Sequence, residues 1–388
     1  MRFLTLTTLT GATLMGGYHV QAAPAIYGDV NVAGVSIANL DQTSATRRLT
    51  RELQPKLRAP IKLAAGPKEL QRKRSDVGLD LDIGWMLARA ATGQKYVPLK
   101  LRLNRDAALQ SLRRLAPEFQ VPVRNAVPVE NDGAVQVRAE QHGVELNLGG
   151  SLVRLQSVEQ DAATSRIVLA VHRTQAKVTQ EKLKGINAVL STYTTRFNSG
   201  NIGRTTNMRL GIAAIDGRLL APGEVFSLNG TVGERTAARG YKEAIIFENG
   251  KMVKGLGGGI SQVTGTLFNA ALLANLPIVT YRTHSRPVDY IPIGRDATVA
   301  WGQFDMKFKN DRQTPIYISY RISGHRATAR IFGAKTNHDV SLSVTSKKIG
   351  AREITAQLYR TVRENGKVIA KKRIGNSHYK WKEDDPQE

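Results

Sequence analysis

The chain has 388 residues, of which 41% are apolar, and carries a formal net charge of +24 with no cysteine. The length suits two or three domains, and the apolar share excludes a disordered chain. Without cysteine there is no disulfide, no thiolate zinc site, no lipid-modified cysteine and no cysteine nucleophile.

The first residues read as an export signal. Arg2 precedes a run of apolar, small and threonine residues from Phe3 to Gly17, and Val20-Gln21-Ala22 offers small residues where a signal peptidase cuts. A signal peptide over residues 1–23, cut near Ala22 or Ala23, is expected; an uncleaved anchor is the alternative. The run is short and diluted by threonine, whereas a membrane helix needs about 20 apolar residues. The basic residues are spread along the chain, and such a field favours polyanions. Outside a cell these are anionic wall polymers, acidic wall peptides or lipid headgroups. No helix-turn-helix, zinc or ribonucleoprotein signature accompanies the charge, so nucleic acid is not expected as a partner. A generally basic, solvated surface is the plain alternative.

Between residues 27 and 173 one pattern recurs: a short strand ends in Leu with Asp or Asn, and an amphipathic run follows. Leu40-Asp41 precedes Ala45–Leu53, Leu81-Asp82 precedes Met86–Ala91, Leu103-Asn104 precedes Ala107–Leu115, and Leu146-Asn147 precedes Leu152–Val158. Asp and Asn at these points can cap the first free N–H groups of a helix. Pro60–Ala64, Leu99–Leu103, Val135–Val137 and Ile167–Val171 read as strands between them. The expectation is an α+β subdomain over 24–99 and a second domain over 100–175.

Gln175–Lys184 reads as a connector. From Ile186 to Thr236 the chain turns to Gly, Asn and Thr, with turn signals at Asn198-Ser199-Gly200, Asp216-Gly217, Pro222-Gly223 and Asn229-Gly230. One strong helix is expected from Ser261 or Gln262 to Ala274. Thr298–Phe308 and Ile316–Ile331 read as β-rich. A late hairpin is expected, Glu353–Arg363 and Lys367–Ile374 joined at Glu364-Asn365-Gly366, because Asn-Gly suits a tight hairpin turn. Lys380–Glu388 reads as a frayed, charged tail.

The densest chemical signal is Gly257-Gly258-Gly259-Ile260-Ser261-Gln262, placed directly before that helix. Consecutive glycines let another chain or a ligand approach closely. Ser261 at the helix start could act as a nucleophile or bind a carboxylate, since free N–H groups and the helix dipole favour negative charge there. It could equally be a plain N-cap. His284 and then Asp296 follow in the order that papain-like and transglutaminase-like sites use: the imidazole as base and the carboxylate as its orienter. A serine hydroxyl is harder to ionise than a thiol, which weakens the catalytic reading and leaves a binding site untouched. A lone His near Arg is also common as a structural residue. Asn229 and Arg235 lie in a second unusual run, Ala221 to Thr236, which reads as a loop facing a ligand opposite the glycines or as a rigid turn. There is no P-loop, metal motif or dinucleotide fingerprint, so no metal and no cofactor are expected.

Residues 189–321 resemble the VanW family. The resemblance rests on Thr194–Phe197, Asn207, Pro222-Gly223-Glu224, Phe226-Ser227, Asn229, Gly233, Arg235-Thr236 and Gly240-Tyr241. It continues through Gly257-Gly258-Gly259-Ile260, Gln262-Val263, Thr266 to Ala270, His284-Ser285, Asp296-Ala297-Thr298, Asp305 and Lys309-Asn310. The family often has Cys where this chain has Ser261. Residues 27–173 resemble, less sharply, the peptidoglycan-binding-like module found upstream of VanW domains, on Gly34-Val35, Gly78-Leu79-Asp80, Asn125-Ala126 and Gly143 with Leu146. The resemblance implies envelope location and a role near peptidoglycan.

The resulting expectation is an α+β chain: N-terminal subdomains, a mixed VanW-like domain over 186–335 with a long helix on an antiparallel sheet, and a β-rich extension over 336–388. Its partner would be peptidoglycan or an anionic wall polymer, with a membrane surface as a further contact. Binding without turnover and an acyl-transfer or amidase reaction at Ser261, His284 and Asp296 both stay open. Gly257, Gly258, Gly259, Gln262, Asn229 and Arg235 are the candidate ligand contacts.

Overall fold

The computed structural model describes residues 27–248 and 251–381, and the expected signal segment lies outside them. The class is α+β. The described residues divide into two compact units: one holds 27–122 with Gly143–Thr174, the other Val123–His142 with 175–248 and 251–381.

In the first unit all four expected junction residues cap helices. Asp41 accepts from Ser44 N ahead of α1, Gln42–Arg58, and Asp82 accepts from Trp85 N ahead of α2, Ile83–Ala91. Asn104 accepts from Ala107 N ahead of α3, Arg105–Phe119, and Asn147 accepts from Gly150 N at 2.8 Å ahead of α4, Leu148–Gln156. Each satisfies a backbone donor that the helix cannot. Leu49 and Leu53 of α1, and Leu112 and Phe119 of α3, meet Leu63 and Ile167 from a three-stranded sheet in one core. In that sheet Pro60–Ala65 pairs antiparallel with Lys68–Lys73 and parallel with Arg166–Val168. The run read as one strand from Ile167 to Val171 divides there; Val171–Thr174 pairs instead with Gly143–Leu146.

The second unit is built on a four-stranded antiparallel sheet in the order Ala188–Arg196, Arg326–Gly333, Ile316–Ser323, Arg218–Leu220. Helix α5, Ile202–Ile215, stands where the sequence shows mainly turns. Its buried positions include Thr205, Asn207 and Gly211, so it lacks the apolar period that marks a helix. A short helix α6, Leu228–Val232, follows. The long helix α7, Ile260–Leu273, packs on the sheet beside α5. Every residue of α7 except Ser261 and Leu273 is buried.

Thr298–Phe308, read as β-rich, holds little strand. It is an irregular loop with isolated bridges, Arg282 to Thr298 and Ala300 to Phe304, before the short strand Lys307–Lys309. Its bulky residues suggested a strand, but Gly302, at φ +73°, and the turn around it break the ladder. The late hairpin forms with Asn365 and Gly366 both left-handed, at φ 49° and 78°. Its second strand runs to Lys380, and His338–Gly350 adds a third, so the extension is a meander.

Asn147→Ala should lower the unfolding free energy by about 1 kcal/mol, while Asn147→Asp should stay within a few tenths, because aspartate caps equally well. Urea unfolding of the two variants checks this.

Candidate functional site

Gly259, at φ +102°, is the N-cap of α7, so Ser261 is the second helical residue and not a cap. The glycine turn leads straight into a helix that contacts protein on nearly every side. Ser261 is an exception, partly exposed at the helix start. Its hydroxyl pairs with the Thr298 hydroxyl at 2.9 Å rather than with an imidazole.

His284 and Asp296 do come together. His284 Nδ1 lies 2.7 Å from Asp296 Oδ2, and the His284 backbone N–H donates to the same oxygen at 2.8 Å. Both side chains are buried, 3% and 2% exposed. The other carboxylate oxygen accepts from the Tyr379 hydroxyl at 2.5 Å, and that hydroxyl accepts from Gly294 N at 2.7 Å. Burial, reinforced by Asp296, pushes the Tyr379 phenol well above its ordinary pKa, so it remains a donor. Opposite an ionised carboxylate, which can only accept, Nδ1 would carry the ring proton. The pair is thus an oriented imidazole, which serves a general base or a structural tie equally well.

The sequence reading missed Thr298 and Tyr379. Thr298 stands two residues beyond Asp296, within the motif already noted. Tyr379 lies just before the charged tail, and its signal is slight: Ser377 and Tyr379 are buried at alternate positions of an otherwise exposed strand end.

The remaining candidates hold the domain together. A Cβ on Gly257 would sit 2.9 Å from Arg235 carbons, and one on Gly258 would sit 2.5 Å from Ile245 O. At Gly259 it would meet Arg204 at 2.9 Å. The close approach that three glycines permit is therefore made by the protein's own chain. Buried Gln262 donates to Arg196 O and Thr195 Oγ1 and accepts from Arg204. Asn229 donates to Ala300 O and Phe304 O and accepts from Arg235. Burial draws the Arg235 guanidinium below its ordinary value, partly offset by nearby Tyr241 and Asp305. Asp305 accepts the Ser227 hydroxyl at 2.6 Å and the Asn229 N–H at 2.9 Å.

This framework of loop and helix coincides with a known family. Residues 203–332 match the family model described as VanW like protein. The chain carries a VanW-like domain. Over 143 residues it is 48% identical to the uncharacterized protein YoaR of Bacillus subtilis, covering 37% of this chain and 47% of that one. It is 28% identical over 134 residues to the vancomycin B-type resistance protein VanW of Enterococcus faecalis, covering 33% of this chain and 49% of that one. The chain thus spans about half the length of the curated relatives it matches. No solved structure matches it significantly. Ser261, His284, Asp296, Thr298 and the three glycines all fall inside the VanW-like domain, whereas Tyr379 reaches it from the C-terminal meander.

Tyr379→Phe removes one donor from a buried carboxylate and the acceptor of Gly294 N. It should lower stability by about 1–3 kcal/mol, whereas Ser261→Ala, at a partly exposed hydroxyl pair, should cost about 1 kcal/mol or less. Denaturant midpoints of the two variants against the parent check the order.

Proposed function

We propose that the protein is an exported cell-envelope protein that binds or organises peptidoglycan or its associated anionic polymers without chemical turnover. The single observation that carries this reading is the state of the Ser261 hydroxyl: it is held by Thr298, just beyond a turn whose glycines are covered by the protein's own chain. A nucleophile needs its base within hydrogen-bond reach. The charge of +24 supports an anionic partner. The printed name of the enterococcal relative, a vancomycin B-type resistance protein, supports a cell-wall setting. Among the described residues no helix is long and apolar enough to cross a membrane. Export rests on the signal-like segment at 1–23, and a peptidoglycan-binding role for residues 27–173 rests on their resemblance to such modules. A membrane surface is a further contact that the same charge would favour.

One observation favours a second reading, an acyl-transfer or amidase reaction at Ser261. The His284–Asp296 pair is fully assembled, with the ring orientation a general base requires.

Incubation with purified sacculi separates the two. The mature protein should be retained, the retention should fall as salt rises, and the muropeptide profile read by mass spectrometry should be unchanged. New or missing cross-links that vanish in Ser261→Ala would instead establish the enzyme.

A further inference from the structure

A cleft of about 530 Å³ opens in the second unit, lined in part by Tyr281, Arg282, Gln303, Phe304, Asp305 and Lys307. Arg282 links it to the candidate site: its carbonyl accepts from Thr298 N at 2.8 Å, the same residue whose hydroxyl holds Ser261. The volume falls within the range of small-ligand pockets.

The two cations of the cleft are poorly neutralised. The Arg282 side chain is exposed and its guanidinium lies over the Phe304 ring, 5.0 Å from its centre, so its neighbour is an aromatic face and not a carboxylate. A guanidinium over an aromatic ring keeps N–H groups for a carboxylate or phosphate, which it can take through two parallel bonds. Lys307 is 42% exposed, and its nearest carboxylate, Asp305, lies 3.9 Å away. That carboxylate is already occupied by the Ser227 hydroxyl and by the Asn229 and Met306 N–H groups. Tyr281 stacks on Phe268 at 4.6 Å, and burial pushes its phenol up to about 12, so the ring stays neutral. Gln303 adds an exposed planar amide.

We infer that this cleft binds an acidic sugar unit, its ring against Tyr281 and Phe304 and its carboxylate or phosphate on Arg282 and Lys307. Aromatic faces suit the apolar C–H face of a sugar, the amide suits its hydroxyls, and the cations select the acidic ones. The inference rests on the wall-binding reading and assigns it a site.

The test uses the full mature chain and three probes: N-acetylmuramic acid, poly(glycerol phosphate) and neutral N-acetylglucosamine. Binding is followed by ligand-observed NMR, with retention on sacculi measured in parallel. Arg282→Ala should weaken binding of the acidic probe about tenfold, the loss of one charge-assisted contact. Arg282→Lys should fall between the two, since it keeps charge and loses the fork. Lys348→Ala, an exposed change on the C-terminal meander, should match the parent. Binding of the muramic acid alone identifies the carboxylate source, and binding of the phosphate polymer alone the other. Equal binding of the neutral sugar, or equal losses in Arg282→Ala and Lys348→Ala, overturns the cleft. If Arg282→Ala binds the probes and sacculi as the parent does, the cleft fails and the wall-binding reading stands. If the parent itself is not retained on sacculi, the wall-binding reading fails and the cleft falls with it.

Discussion

A helix buried on nearly every side cannot leave its polar groups to water, and α7 imposes that constraint on the whole second unit. The helix carries Gln262, Thr264, Thr266 and Asn269 in positions with no solvent. A buried polar group without a partner costs about 1–3 kcal/mol, so each must find a partner within the helix or on a neighbouring element. Thr264 and Thr266 turn back to carbonyls of their own helix. Thr266 also meets Thr195, Ser191 reaches the Ala270 carbonyl, and Tyr320 reaches the Val263 carbonyl, all from the sheet beneath. Asn269 takes Arg295 O and Arg295 Nε from the loop beyond. These bonds fix the sheet, the helix and the 282–298 loop against one another, and so fix what stands at the helix start.

The His284–Asp296 pair follows from the same logic. Asp296 is a buried carboxyl group, and its burial is tolerable because backbone, imidazole and phenol groups converge on it. Those groups come from the loop before it and from the far end of the chain. The arrangement leaves the imidazole oriented whether or not it ever moves a proton. What separates a tie from a base is the engagement of Ser261, and the hydroxyl of Thr298 holds that place in this structure.

Local chemistry was legible in the sequence and long-range satisfaction was not. Asp41, Asp82, Asn104 and Asn147 were readable as caps because a short polar side chain before an apolar run has one strong use. Asn365-Gly366 was readable because few residue pairs accept two left-handed positions. Helix α5 was hidden because polar residues and glycine occupy its inner face, and Thr298–Phe308 misled because bulky residues serve a packed loop as well as a strand. In the site, the order of His284 and Asp296 suggested their pairing, whereas Thr298 as the partner of Ser261 could come only from the fold. Tyr379 lies too far along the chain for any local pattern to connect it with Asp296. The glycine run spoke of close approach correctly, but nothing in it told whether ligand or protein would do the approaching.

The reach of Tyr379 separates two boundaries that usually coincide. The family match closes at residue 332, yet Asp296 and Gly294 depend on a hydroxyl from residue 379, and Gly294 also packs against Val344 and Ala356 of the same meander. The stretch that descent has kept recognisable is thus shorter than the stretch that must fold together. The meander acts as a brace on the VanW-like domain from outside the matched residues.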